Sequence, residues 1–152
     1  MTQDKELLLK DLCARLPYGV KGDAKGKIVF IMNTPIEREP EILTNIDIHT
    51  NTYGVSCQKG IPLYNRKGEI NFKPYLFPLS SMTEAQQEEF DRIYADDMQV
   101  VANNLKNRLD GKPYETNFGH YRHIDWLNAH HFDYRELIEK GLAIDATGLN
   151  IY

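Results

Sequence analysis

Lys73-Pro-Tyr-Leu-Phe-Pro-Leu-Ser-Ser-Met-Thr-Glu84 divides a strand-and-turn part of the chain from a mostly helical part. Pro74 and Pro78 fix their own φ and push the residues before them out of the helical region, so Lys73 to Leu79 is predicted to be an extended rod. Tyr75, Leu76 and Phe77 give that rod an apolar surface that belongs against the body of the protein. Ser80, Ser81 and Thr83 then offer oxygens to the start of a helix, and Glu84 or Gln86 stands where a capping box closes. Thr83 is the expected N-cap, with Ser81 the alternative.

Toward the N-terminus, residues 4–16 read as a helix. Leu8, Leu9, Leu12, Cys13 and Leu16 recur at helical spacing, and Lys5, Glu6, Lys10, Asp11 and Arg15 fill the other face. Pro17 and Gly19 end it. Between this helix and the rod the pattern is that of strands. Gly22 to Gly26 reads as a turn, Lys27 to Met32 as a strand and Asn33 to Pro40 as a polar loop. Ile42, Thr44, Ile46 and Ile48 alternate with Leu43, Asn45, Asp47 and His49, which predicts a strand facing a core on one side. Asn51 and Gly54 mark a turn, Tyr53, Val55 and Cys57 another strand, and Lys67-Gly68 a turn before Glu69 to Phe72.

Beyond Thr83 the helical signal is long. Phe90, Ile93, Tyr94, Val101, Leu105 and Leu109 carry it, with Glu88, Glu89, Asp91, Asp96 and Asp97 read as outward. Asp96-Asp97 is the one place where the pattern leaves a break open. Asp110-Gly-Lys-Pro113 stops the helix, a second helix is predicted from Tyr121 to Ala129, and a short third runs from Asp133 to Lys140 with Gly141 past its end. The tail from Leu142 reads as an edge strand.

The full chain has 152 residues, 17.6 kDa, 41% hydrophobic and 26% charged content, which is globular and fits one domain over 1–152 with lobes 1–79 and 80–152. No apolar run reaches the ~20 residues of a membrane span. The polar start, Met1 to Glu6, is unlike a signal peptide, and Cys13 and Cys57 read as buried free thiols of a reducing cytoplasm. The formal charge of -4 is uneven: eleven Lys and Arg face nine Asp and Glu through Leu79, but seven face thirteen after it. An acidic helical half without a basic stripe argues against nucleic acid as a partner.

Lys73 to Thr83, Asp125 to Ile144 and Lys5 to Val20 resemble a group of small uncharacterised proteins common in Bacteroides-type gut bacteria, often in prophages and other mobile elements. The resemblance implies a bacterial cytoplasmic context and brings no catalytic residue with it.

Histidine is the most chemical feature. His120, His123, His130 and His131 crowd together beside Asp125 and Asp133. On a helix His120 and His123 share a face and His130 follows at a heptad's distance, so His120, His123, Asp125 and His130 are the candidate metal ligands, for Zn, Ni or non-haem Fe. No His-Glu-x-x-His spacing accompanies them. Histidines at a helix C-terminus also suit the helix dipole without any metal. Ser80 and Ser81 lack a Gly-x-Ser-x-Gly frame, and Gly19, Gly22 and Gly26 precede a strand where a phosphate loop would follow one, so neither set names a catalytic residue or a cofactor. The aromatics Tyr114, Phe118, Tyr121, Trp126, Phe132 and Tyr134 form either a binding ledge or an internal seam, with Trp126 and Phe132 expected in the core.

These readings predict an α+β fold: a small antiparallel sheet or open barrel with an N-terminal helix, followed by a mostly helical half. Two functions fit. One is a non-enzymatic module of a mobile element that binds another protein through the helical half. The other is a small metal-dependent hydrolase or nuclease built on the His120, His123, His130 and His131 cluster.

Overall fold

A computed structural model describes residues 2–24, 39–49, 52–57, 72–113 and 121–152. The elements are α1 (Gln3–Arg15), β1 (Lys21–Ala24), β2 (Glu41–His49), β3 (Thr52–Cys57), β4 (Phe72–Pro78), α2 (Glu84–Leu109), α3 (Arg122–Ala129), β5 (Phe132–Asp133) and β6 (Ile144–Asp145). The fold is α+β, with an open six-stranded sheet ordered β3-β2-β1-β4-β5 and β6 paired to β4. The sheet is antiparallel through β4, as expected, and mixed beyond it, because β5 and β6 run parallel to β4. The predicted strand 27–32, the loop through Arg38 and the turns at Asn51 and Lys67-Gly68 lie outside the described residues.

The Pro-rich rod is a central strand. Pro74 closes the pairing with β1, opposite Gly22, and Pro78 closes the pairing with β5, opposite Asp133. A missing N–H is tolerated at the ends of ladders, and both prolines sit there. Leu76 is fully buried. Gly22, read as a turn residue, lies in β1 instead: the ring of Phe72 rests on it, and a Cβ would run into that ring. The alternation predicted for β2 also fails. A bulge between Leu43 and Asn45 exposes both Thr44 and Asn45 and puts Leu43, not Ile42, in the core.

Leu8 and Leu12 of α1 pack on Val20, Leu43, Val55, Cys57, Phe72 and Leu76. A short 3-10 turn over Leu16–Tyr18 and Gly19 at φ 64 end the helix at the expected place. Cys57 is buried, but Cys13 is exposed. Asp11 and Arg15, read as outward, are both 0% exposed, because Leu8, Asp11, Leu12 and Arg15 share one face and the C-terminal segment covers it. Arg15 Nε donates to Asp11 Oδ2 at 2.8 Å, and its Nη2 donates to the Phe132 carbonyl at 2.7 Å.

The second core is aromatic: Trp126, Leu127 and Phe132, with Phe77, Met82, Phe90 and Ile93 against them. Trp126 and Phe132 are core, as predicted. Residues 134–141 form turns where a helix was expected, and Leu137 and Ala143 from this region return to the sheet's core. The helical half is therefore helical only to Ala129. No helix among the described residues is long and apolar enough to cross a membrane.

Candidate functional site

The helix α2 is continuous across Asp96-Asp97 and starts at Thr83, whose hydroxyl accepts from Gln86 N at 3.3 Å while Gln86 Oε1 accepts from Thr83 N at 2.9 Å. Its inward stripe, Phe90, Ile93, Asp97, Val100 and Asn104, advances by alternate threes and fours. Asp97, predicted to be outward, is on that stripe and 0% exposed.

Burial of a carboxylate needs donors, and α3 supplies them. Tyr121, at the N-cap position of α3, makes no side-chain cap, so the open N–H of His123 donates to Asp97 Oδ2 at 3.0 Å instead. His123 Nδ1 lies 2.7 Å from the same oxygen, and Arg122 Nε donates to Oδ1 at 2.9 Å. Burial alone would raise the Asp97 pKa; these bonds outweigh it and hold the carboxyl below its usual range. Arg122 also reaches Asp96 at 3.5 Å and is half exposed. The ring of Tyr94 meets His123 edge-on at 5.2 Å. Asp97 is thus a remote cap that fastens α3 to α2 and orients an imidazole. With Nδ1 as the donor to Asp97, Nε2 is the nitrogen left for a proton, a ligand or a substrate.

The other histidines have separate tasks. His130 stacks on Trp126 at 4.0 Å, and its Nδ1 meets the Trp126 carbonyl at 2.9 Å. His131, at φ 59, stacks on Tyr152 at 3.8 Å, and its carbonyl accepts from Phe77 N. Burial, then Arg15, His130 and Lys21, push its pKa down to about 4. Asp133 caps the turn after β5, accepting from Leu137 N at 3.0 Å and Ile138 N at 2.8 Å. Asp125 is exposed; the Tyr18 pKa is raised by burial and then by the nearby Asp125 carboxylate. His120 lies outside the described residues. Among the described residues no three metal-ligating side chains converge. A surface cleft lined by Gln3, Asp4, Glu6, Leu7, Lys10 and Lys140 offers exposed charges of both signs.

Beside its inward stripe, α2 carries a second one, Asp91, Tyr94, Met98, Val101, Leu105 and Arg108, again by threes and fours. Leu105 is 60% exposed and the neighbouring Leu109 87%, with Tyr94 and Val101 also exposed. The helix thus turns polar Asp97 and Asn104 inward and apolar Leu105 and Leu109 outward. The aromatics divide likewise: Trp126 and Phe132 form the seam, Tyr121 is exposed near His123, and Tyr114 and Phe118 lie outside the described residues.

No protein-family model, curated protein or solved structure matches the chain.

Proposed function

We propose that this chain is a non-enzymatic interaction module, an accessory protein of a bacterial mobile element acting in the cytoplasm, that binds another protein through its helical half. The observation that carries the reading is the exposed apolar stripe on α2, which has the spacing of a helix-pairing surface. Glu84, Glu88, Glu89 and Asp91 flank its start and favour a basic partner, whose association salt slows more than it speeds dissociation. Glu88 and Asp91 belong to this surface; Asp97, buried under Arg122 and His123, does not. The test is affinity capture from the native host with wild type, Leu105→Glu and the pair Glu88→Lys/Asp91→Lys. Loss of the same partner from both variants, with circular dichroism unchanged, supports the reading. Retention by both rejects it.

A small metal-dependent hydrolase or nuclease is the second reading, favoured by the carboxylate that holds Nδ1 of His123. Metal analysis of the purified protein separates the two. Stoichiometric metal lost in His120→Ala and His123→Ala, or turnover abolished by His123→Ala, selects the enzyme.

A further inference from the structure

We infer that the outward stripe of α2 pairs with the same stripe of a second copy of this chain, antiparallel, about a twofold axis near the helix centre. The inference rests on the interaction reading above and names the partner.

Register and charge both favour this partner. Along α2, Asp91, Tyr94, Met98, Val101, Leu105 and Arg108 occupy alternating a and d positions of a heptad, spaced three, four, three, four, three. Laying a second α2 antiparallel places Asp91 opposite Arg108, Tyr94 opposite Leu105 and Met98 opposite Val101. The twofold repeats each pairing. The four inner residues are apolar, and the outer layers each join an acid to a base. A parallel pairing would set Asp91 against Asp91 and Arg108 against Arg108, so like charges disfavour it. Ala95 and Ala102 follow Tyr94 and Val101 on one flank, where small side chains permit close approach.

The distribution of charge along the whole helix agrees. Glu84, Glu88, Glu89, Asp91 and Asp96 outnumber Arg92 in its first half, whereas Lys106 and Arg108 stand without an acid after Asp97. In this antiparallel register the acid-rich end meets the basic end at Asp91 and Arg108. Asp91, Tyr94, Val101, Leu105 and Arg108 are exposed and Met98 is half-buried. The seam with α3 centres on the stripe about a quarter turn away, and Tyr94, edge-on to His123, borders it.

Sedimentation equilibrium of the full chain in reducing buffer tests this, the reductant keeping exposed Cys13 from linking copies. Wild type is expected to be a dimer at micromolar concentration. Leu105→Glu should weaken it by ~100-fold or more, as a charge forced into the centre of an interface does. Asp91→Arg should weaken it, and adding Arg108→Asp should restore it. Wild type monomeric to millimolar concentration overturns the inference and leaves the binding of a different protein untouched. A dimer indifferent to Leu105→Glu also overturns it, because the surface is then elsewhere. Failure of the charge swap to restore the dimer overturns the antiparallel register. If Leu105→Glu affects neither self-association nor capture of any partner, the interaction reading itself falls.

Discussion

Asp11 and Asp97 are both completely shielded from solvent and both bonded to an arginine, yet their proton affinities move in opposite directions. The Asp11 pKa is raised, because burial outweighs Arg15 and Arg135. The Asp97 pKa is lowered, because the bonds from His123 and Arg122 outweigh burial. The difference lies in what each partner must give up. Arg15 is as buried as Asp11, so both ions lose their water, and Asp11 Oδ1 and Arg15 Nη1 are left without a hydrogen bond among the described residues. Arg122 keeps half its surface in solvent, and a backbone N–H, which has no charge to desolvate, supplies a further bond to Asp97. A buried carboxylate is held well by donors that do not themselves have to be stripped of water.

The largest effect belongs to the poorly held centre. Asp11→Ala leaves the Arg15 guanidinium buried and unpaired, and is expected to cost about 3–5 kcal/mol in urea denaturation. Asp11→Leu combined with Arg15→Met should recover most of that loss. If the double variant is as unstable as Asp11→Ala, the strain of the pair is not where Asp11 and Arg15 place it.

His131 belongs to the same centre and gives it a pH dependence. Its folded pKa of about 4 lies below the ordinary 6.5, so between those values the unfolded chain binds the proton and the folded one does not. Stability is therefore full above pH 6.5 and falls as pH drops toward 4, by up to ~3 kcal/mol. His131→Asn, which tolerates the positive φ, should flatten that slope between pH 6.5 and 4. An unchanged slope would assign it to other groups.

Asp97→Asn tests the well-held centre. It keeps the shape, loses the charge-assisted bonds and should cost about 2 kcal/mol at pH 7. The Asp97 contribution is present above the unfolded value of 3.8 and is lost as pH falls through the depressed folded value. Wild type and Asp97→Asn should thus converge in acid. A gap of constant size from pH 7 to pH 3 would mean that the charge on Asp97 contributes nothing.

The fold class, the long helix and its cap are legible in the residues themselves, because propensity and local chemistry set them: Thr83 and Gln86 are three positions apart and need no tertiary partner. Trp126 and Phe132 follow from side-chain size, whereas the apolar run Tyr75 to Phe77 announces a buried member without saying which: Leu76 is fully buried and the larger Phe77 only half-buried. The polar centres are not legible in the same way, since Asp11 and Asp97 carry residue types that solvent normally claims. Their spacing holds the only sign. Asp11 and Arg15 sit one and two helical steps beyond Leu8, and Asp97 falls on the alternating three-four stripe of Phe90 and Ile93. What makes burial of these acids tolerable, the Phe132 carbonyl of β5 for one and the open N-terminus of α3 for the other, comes from residues far along the chain. The same holds for Gly22, whose glycine is required by Phe72 and not by a turn.

The smallest effect compares two ways of capping a helix. Thr83 caps α2 from within its own sequence, whereas Asp97 caps α3 from another helix. Thr83→Ala removes one neutral acceptor at an exposed site, where water replaces it, so about 1 kcal/mol should be lost with the α2–α3 seam intact. Asp97→Asn should cost more and should also loosen α3. Hydrogen exchange separates the two outcomes: Thr83→Ala should speed exchange only in the first turn of α2, and Asp97→Asn should speed it at His123 and through α3. Equal exchange throughout α3 in the two variants would mean that Trp126 and Leu127 hold α3 in place by packing, and that the Asp97 cap orients His123 without fastening the helix that carries it.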